Sequence, residues 1–379
     1  MSGPAYPAAH AIAARVRDHF ARHVAEAQQR GQTGLAMPPD ADTIEALIDA
    51  AFWASLRREE NVVPTISLAF LTPDEAPYPL RFDRAIPLEP GRLVKLAPAV
   101  ERAGIHLGVH RDGGALWVWG TVRMIPPLCV VVEVTAPGLL VVKHHRGGEA
   151  GKFVNVAVLE GDRVKMVDEH ASSLPDCPPL LTSLLGFDSP ASWIDSVNVL
   201  VQLAVSMRAH RRGGILLVVP DSSDAWTESI VRPIPYAVSP PFDVLGRLAR
   251  ASSAGESGRT WQDALARVVD LIAGLTAVDG ATIMTTRYDV LAFGAKIARK
   301  KGSPQVEQVV VTEPIEGGVA EVMHPTQLGG TRHLSAAQFV HDQRDAVVLV
   351  ASQDGRFTVF AWSPCENMVH AHRVEVLLL

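Results

Sequence analysis

The chain has 379 residues, 47% of them hydrophobic and 20% charged, enough for two sizeable cores in an ordinary globular protein. A formal net charge of −6 argues against non-specific nucleic-acid binding, which needs a clustered basic surface; local basic runs remain at 208–212 and 296–301. Cys129, Cys177 and Cys365 are widely separated, lack metal-ligand spacing and cannot all pair, as expected in a reducing cytoplasm. No stretch is apolar for long enough to cross a bilayer, and the N-terminus lacks a signal-peptide layout. The composition therefore predicts a soluble, cytoplasmic protein with neither nucleic acid nor membrane as a partner.

In chain order, Ile12, Val16, Phe20 and Val24 recur every fourth position and predict a helix over 8–30, ended by Gly31 and Gly34. Asp42 and Glu45 have capping-box spacing for a second helix carried by Ile44, Leu47, Ile48 and Ala51. Strand-like runs follow at 65–71, 92–96, 105–110, 115–122, 130–134, 139–144, 153–159 and 163–167. Turn signals such as Asp112-Gly113-Gly114 and Pro137-Gly138 separate them. Close spacing with turns predicts an antiparallel sheet, so the first domain, 1–175, reads as α+β with two helices. Gly147-Gly148-Glu149-Ala150-Gly151-Lys152 resembles a phosphate-binding P-loop, but it is one residue short between the glycines. Phe153 also stands where a magnesium-binding hydroxyl is needed, so the stretch reads as a hairpin turn. His110, His144-His145, His370 and His372 lack acidic or cysteine partners at suitable spacing and read as solvated strand histidines.

A Pro-, Ser- and Asp-rich segment at 172–190 marks the interdomain linker, taken as 176–192. The second domain, 193–379, opens with a helix over 193–209 and the wholly apolar strand 215–219, the kind buried at a sheet centre. A polar, proline-rich excursion covers 221–241. Helices are predicted at 242–250 and 260–275, and strands at 282–285, 290–293, 306–312, 346–350 and 356–362. This half reads as α/β, a mixed central sheet flanked by helices.

Two stretches carry chemistry. In Leu328-Gly329-Gly330-Thr331-Arg332-His333-Leu334-Ser335, two glycines allow close backbone approach to a ligand, and the helix that follows offers unpaired N–H groups to an anion. Arg332 adds a fork of donors matched to phosphate oxygens. From this stretch alone, a loop that merely caps the helix with Thr331 is the alternative. About fifty residues upstream lies Val278-Asp279-Gly280-Ala281, which on its own reads equally well as an Asp-Gly turn before a strand.

Together, and in this order, these motifs resemble the diadenylate cyclase domain, which condenses two ATP into cyclic di-AMP. The resemblance covers roughly 193–362. A helix ending in basic residues feeds Gly213-Gly214-Ile215-Leu216-Leu217-Val218-Val219; Asp279-Gly280-Ala281, Gly294-Ala295-Lys296-Ile297, Gly330-Thr331-Arg332-His333 and an apolar strand ending in Ser352 follow. The N-terminal half holds the position of a sensory or regulatory domain whose ligand is unknown. Two departures stand out. The family reads Arg-His-Arg where this chain has Leu334 in third place, and a serine followed by two acids becomes Ser352-Gln353-Asp354.

The resemblance implies ATP as substrate, a Mg²⁺ or Mn²⁺ cofactor, and a homodimer or higher homo-oligomer, because a two-fold symmetric product needs two sites face to face. It implies that Asp279 orients the attacking 3′-hydroxyl and binds the metal. Gly280, Ala281, Gly330, Thr331, Arg332, His333, Ser335 and Ser352 would contact the nucleotide, and Gly294 and Ile297 would border the adenine.

Overall fold

The computed structural model describes residues 5–58, 62–145, 153–168, 199–253 and 258–379. The expected linker, the P-loop-like stretch at 147–152 and the first residues of the helix predicted at 193–209 lie outside them. The chain divides into two compact units, Met1–Val167 with Leu379, and Asp168–Leu378. Both are α+β in content, each built on one mixed sheet. No helix among the described residues is long and apolar enough to cross a membrane.

In the first unit, α1 (Pro7–Gln29) buries Ile12, Val16 and Phe20 on one face. Helix α2 (Ala41–Ser55) is capped by Asp40, whose carboxylate accepts from the Thr43 N–H at 2.8 Å. The cap is thus two residues earlier than the capping-box spacing predicted, and Glu45 instead accepts from His10 at 2.8 Å. Eight strands follow: β1 (Ile66–Phe70), β2 (Leu80–Pro87), β3 (His106–Asp112), β4 (Ala115–Val122), β5 (Val130–Ala136), β6 (Leu139–His145), β7 (Phe153–Glu160) and β8 (Arg163–Met166). Their order is β2-β4-β3-β1-β5-β6-β7-β8.

This sheet is not wholly antiparallel, as the turn-rich sequence predicted. Strands β1 and β3 run parallel, with Leu68 opposite Leu107. A parallel pair requires a crossover, here the segment that carries β2 and a short helix α3 (Pro90–Leu96). The run at 92–96 was expected to be extended; Pro90 at the first helical position, where its missing N–H costs nothing, starts a helix instead. One core joins α1, α2 and α3 to the sheet through Leu47, Ile48, Leu68, Leu93 and Leu107. A smaller cluster holds Ala69, Trp119, Cys129 and Val131, residues that alternate with the first set along β1 and β5.

The second unit contains α4 (Val199–Ala209), β9 (Gly214–Val219), β10 (Tyr236–Phe242), α5 (Val244–Ser253), α6 (Arg259–Thr276), β11 (Ala281–Thr285), β12 (Val290–Ala295), β13 (Val309–Thr312), β14 (Glu321–Met323), α7 (Pro325–Asp342), β15 (Val347–Ala351), β16 (Phe357–Ser363) and β17 (Met368–Arg373). The sheet order is β10-β12-β11-β9-β15-β16-β17-β13-β14. Strand β9 is central, parallel to β11 and antiparallel to β15. Its Leu216 and Val218 enter a core with α4, α6 and α5. Its Ile215, Leu217 and Val219 enter another with α7. Burial on both faces is why this strand is apolar throughout.

The histidines read as solvated are mostly interior: His144, His370 and His372 are 4%, 1% and 0% exposed, and His110 and His145 are half-buried. His372 Nδ1 lies 2.7 Å from Thr312 Oγ1 across the parallel pair β13·β17. His106 Nδ1 lies 2.7 Å from Ser67 Oγ across β1·β3. Burial holds the His372 pKa down to about 3 and that of His106 down to about 4.

These depressed values make a pH prediction. Between about pH 4 and the ordinary 6.5, the unfolded chain binds a proton at position 106 that the folded chain refuses. Stability is then unaffected above 6.5 and falls as the pH drops toward 4, by roughly 3 kcal/mol at the lower end. Urea unfolding from pH 7 to 4 should show this loss on top of a comparable one from His372, and His106→Asn should remove the His106 share, making the acid limb shallower by roughly 3 kcal/mol at pH 4. An unchanged acid limb in the variant would reject the assignment.

Candidate functional site

Three glycine-dependent close approaches build the site at one end of the second sheet. The first is at Gly280, just before β11. It has φ 108°, and a methyl there would lie 2.5 Å from the Gly294 carbonyl carbon and 2.7 Å from its oxygen. Only a residue without Cβ lets the two backbones meet. The close pair continues as Ala281 opposite Ala295. Asp279, one residue earlier, is left exposed at the strand end.

Gly294 itself has φ 65°, and its open side is filled by Tyr236, whose Cδ2 would be 2.7 Å from an added methyl. The Tyr236 ring stacks on Phe293 with centroids 4.8 Å apart. The glycine expected to let a ligand's adenine approach thus admits an aromatic side chain of the chain itself. Ile297 is half-buried and forms an isolated bridge with Ile230.

The third approach lies in α7. The glycine pair was expected in a loop ahead of a helix. In fact a helical turn from Pro325 precedes it, and the helix breaks at Gly329 (φ 156°, ψ 78°) and Gly330 (φ 60°, ψ −161°) before resuming. The break starts a second N-terminus at Thr331. Arg332, on its first turn, rests against Gly213 at the entry to β9, where a methyl would lie 2.7 Å from Nη1. Gly213, in the run that feeds β9, is therefore the seat of this guanidinium, while Gly214 packs against Thr276.

His333 serves the loop. Its ring folds back on Gly329, with Nδ1–H donating to the Gly329 carbonyl, and Nε2 lies 3.5 Å from Thr358 Oγ1. It is 2% exposed. Burial lowers its pKa despite the opposing pull of that carbonyl, so the ring is uncharged at neutral pH. Both ring nitrogens therefore face protein groups, and no imidazolium is on offer to a phosphate at neutral pH.

The remaining predicted residues surround two small cavities. One, of about 210 Å³, is lined by Asp279, Gly280, Ala281, Ile297, Thr331, Arg332 and Ser335, together with Ile215, Ala295 and Lys296. The other, of about 160 Å³, shares Thr331 and Arg332 and adds Gly329, Gly330, His333, Ala351 and Ser352. Gly294 and Leu334 line neither. Ser352 hydrogen-bonds Asp354. Asp279, Lys296 and Arg332 make no ion pair among the described residues, and the Thr331 and Ser335 hydroxyls bond no protein group there. One carboxylate and two cations thus meet at one cavity without neutralising one another.

Among the described residues no group of three or more His, Cys, Asp or Glu is arranged to hold a metal. The exposed carboxylate of Asp279 is a single oxygen donor. That fits Mg²⁺ or Mn²⁺ bound chiefly through substrate phosphates and water, and does not fit an all-protein cage.

Against this geometry stands one family resemblance. Residues 33–123 match the model of a probable sensor domain, DACNV. The DACNV match covers α2, β1 through β4 and α3 of the first unit, and it does not extend to the unit that holds the cavities. No curated protein matches the chain.

The glycine geometry is testable by stability. Gly280→Ala meets a backbone carbonyl and a strained φ together, whereas Gly330→Ala has the strained φ of 60° with nothing within 4 Å. Unfolding free energies should fall by about 2 kcal/mol for Gly330→Ala, whose φ 60° and ψ −161° are essentially reserved to glycine, and by roughly 4 kcal/mol for Gly280→Ala, where the methyl also meets the Gly294 backbone. Equal losses would show that the backbone approach at Gly280 carries no weight.

Proposed function

We propose that the second unit is a diadenylate cyclase domain, joining two ATP into cyclic di-AMP and two pyrophosphates, with the first unit as its sensor. The observation that carries this reading is the set of uncompensated groups at the larger cavity: Asp279, Arg332, and the hydroxyls of Thr331 and Ser335. Exposed charges cost little when unpaired; what supports the reading is that a carboxylate, a guanidinium and two hydroxyls converge on one concavity with none of them committed to a protein partner there. The first unit supports the same reading, because DACNV is a sensor domain associated with diadenylate cyclases. Its ATP substrate places such an enzyme in the cytoplasm.

In each half-reaction a ribose 3′-oxygen bonds to the α-phosphorus of the other ATP. The bond from that phosphorus to the bridging oxygen breaks, and pyrophosphate leaves with the electron pair. Asp279 orients the 3′-hydroxyl and accepts its proton. Arg332, Thr331 and the N–H groups of the restarted helix hold the phosphate oxygens in line and meet the charge that spreads over them. A bound Mg²⁺ or Mn²⁺, held by Asp279, would supply further neutralisation of the triphosphate.

A volume of about 210 Å³ is below the roughly 300 Å³ at which ligand pockets begin, so one copy encloses only part of a nucleotide. A second copy facing the first would close the site and supply the second ATP, which makes the enzyme a homodimer at least. One reading competes. Uncharged His333 and leucine in place of arginine at position 334 leave fewer cations in the loop than Arg-His-Arg provides. That favours a weak or inactive module that binds ATP or a cyclic dinucleotide and signals by shape change.

Purified protein incubated with ATP and Mn²⁺ should yield cyclic di-AMP by mass spectrometry. Asp279→Asn should lower the rate at least 100-fold while ATP binding survives. ATP binding without product at high protein concentration would reject the cyclase and leave the binding module. Turnover per protomer should rise with protein concentration until dimers saturate, and a rate per protomer independent of concentration would remove the dimer requirement.

A further inference from the structure

The basic run 296–301 has no part in the chemistry above, yet its first residue lines the larger cavity. Lys296 follows β12 directly, and its backbone is pinned. Its carbonyl accepts from the Val231 N–H at 2.9 Å, Ile297 bridges Ile230, and the Ala298 N–H donates to Ser229 at 2.9 Å. These bonds fix where the exposed Lys296 side chain begins, at the edge of the cavity. Lys300, in the same run, behaves differently. Lys300 Nζ is paired with Glu228 at 2.9 Å, and its N–H donates to Asp342. Lys296 has no carboxylate partner among the described residues, and with Arg332 it leaves the cavity one positive charge in excess over Asp279.

We propose that Lys296 is a second phosphate-binding cation of this cavity, reaching it from the end of β12 while Arg332 reaches it from α7. The ligand it selects is a polyphosphate, and a neutral nucleoside gains nothing from it. The inference rests on the nucleotide reading of the cavity but adds a residue which that reading does not require. It also gives the chain a cation in a different place from Leu334. Lysine suits the role as a point charge with three rotatable donors, against the fixed fork of Arg332.

The test measures binding of ATP, tripolyphosphate and adenosine to the full chain by calorimetry. Lys296→Gln should weaken ATP and tripolyphosphate roughly tenfold and leave adenosine unchanged. Lys296→Arg should stay within about twofold of the wild type. Lys300→Gln changes net charge equally from the same run and should have little effect, which separates a local contact from a long-range field. The proposal falls if the two glutamine variants bind alike, if adenosine weakens as much as ATP, or if the wild-type chain binds neither ATP nor tripolyphosphate. Tripolyphosphate binding that depends on Lys296, with no cyclic di-AMP formed, would sustain this proposal and end the cyclase reading. Cyclic di-AMP formation with unaltered ATP binding in Lys296→Gln would do the reverse.

Discussion

Two backbones meeting without room for a methyl group set the geometry on which the candidate site depends. Gly280 lies against the Gly294 carbonyl, and the pairing of Ala281 with both Ala295 and Ile215 continues from that contact. The register fixes what stands at the sheet's end: Asp279 just before β11 and Lys296 just after β12. Strand register is an all-or-none property, because a slip of one residue sends every side chain to the other face. A side chain at position 280 would therefore do more than add local strain. It would separate the carboxylate from the lysine across the same cavity.

The second half of the site obeys a different constraint. Helix α7 has to bring Arg332 to the mouth of β9 while keeping Phe339 and Val340 in the core beneath the sheet. An unbroken helix would carry the N–H groups of its first turn at Pro325 and leave those at Thr331 bonded within the helix. The break at Gly329 and Gly330 frees a second set of donors seven or so residues into the element. His333 stabilises the break by returning its Nδ1–H to the Gly329 carbonyl, a bond that satisfies a group the break would otherwise strand. The imidazole is thus spent on backbone geometry, and the guanidinium beside it remains available.

Periodicity and local chemistry were good guides where one element's own residues decide its fate. The apolar run of β9 and the every-fourth pattern of α1 could be read directly, and Asp279, Thr331, Arg332 and Ser335, singled out from two separate motifs, line one cavity. The misses come from partners far away in the chain. The parallel pairing of β1 with β3 depends on which strands meet, and turn spacing does not reveal that. Strand β10 hides in a proline-rich run because an edge strand tolerates proline. His372 reads as polar until Thr312 on a neighbouring strand satisfies one ring nitrogen and the sheet buries the other. Gly213 and Lys296 were visible as residues, but the contact of the first with Arg332 and the place of the second at the cavity appear only once α7 and β12 are placed beside them.

A cavity with one carboxylate, about 210 Å³ in volume, is poorly suited to complete a reaction by itself on any nucleotide reading. On the proposed reading, its exposed charges would meet a ligand that brings its own phosphates and a second surface that excludes water from them. Water exclusion matters because the attraction between an unpaired cation and a phosphate is several-fold stronger in a low-dielectric site than at an open surface. On the cyclase reading, face-to-face association is thus both the source of the second substrate and the step that makes Arg332 and Lys296 effective. Anything that changes how often two copies meet would then change the rate without touching a catalytic group. That is a simple physical route by which a sensor domain in the same chain would regulate the reaction.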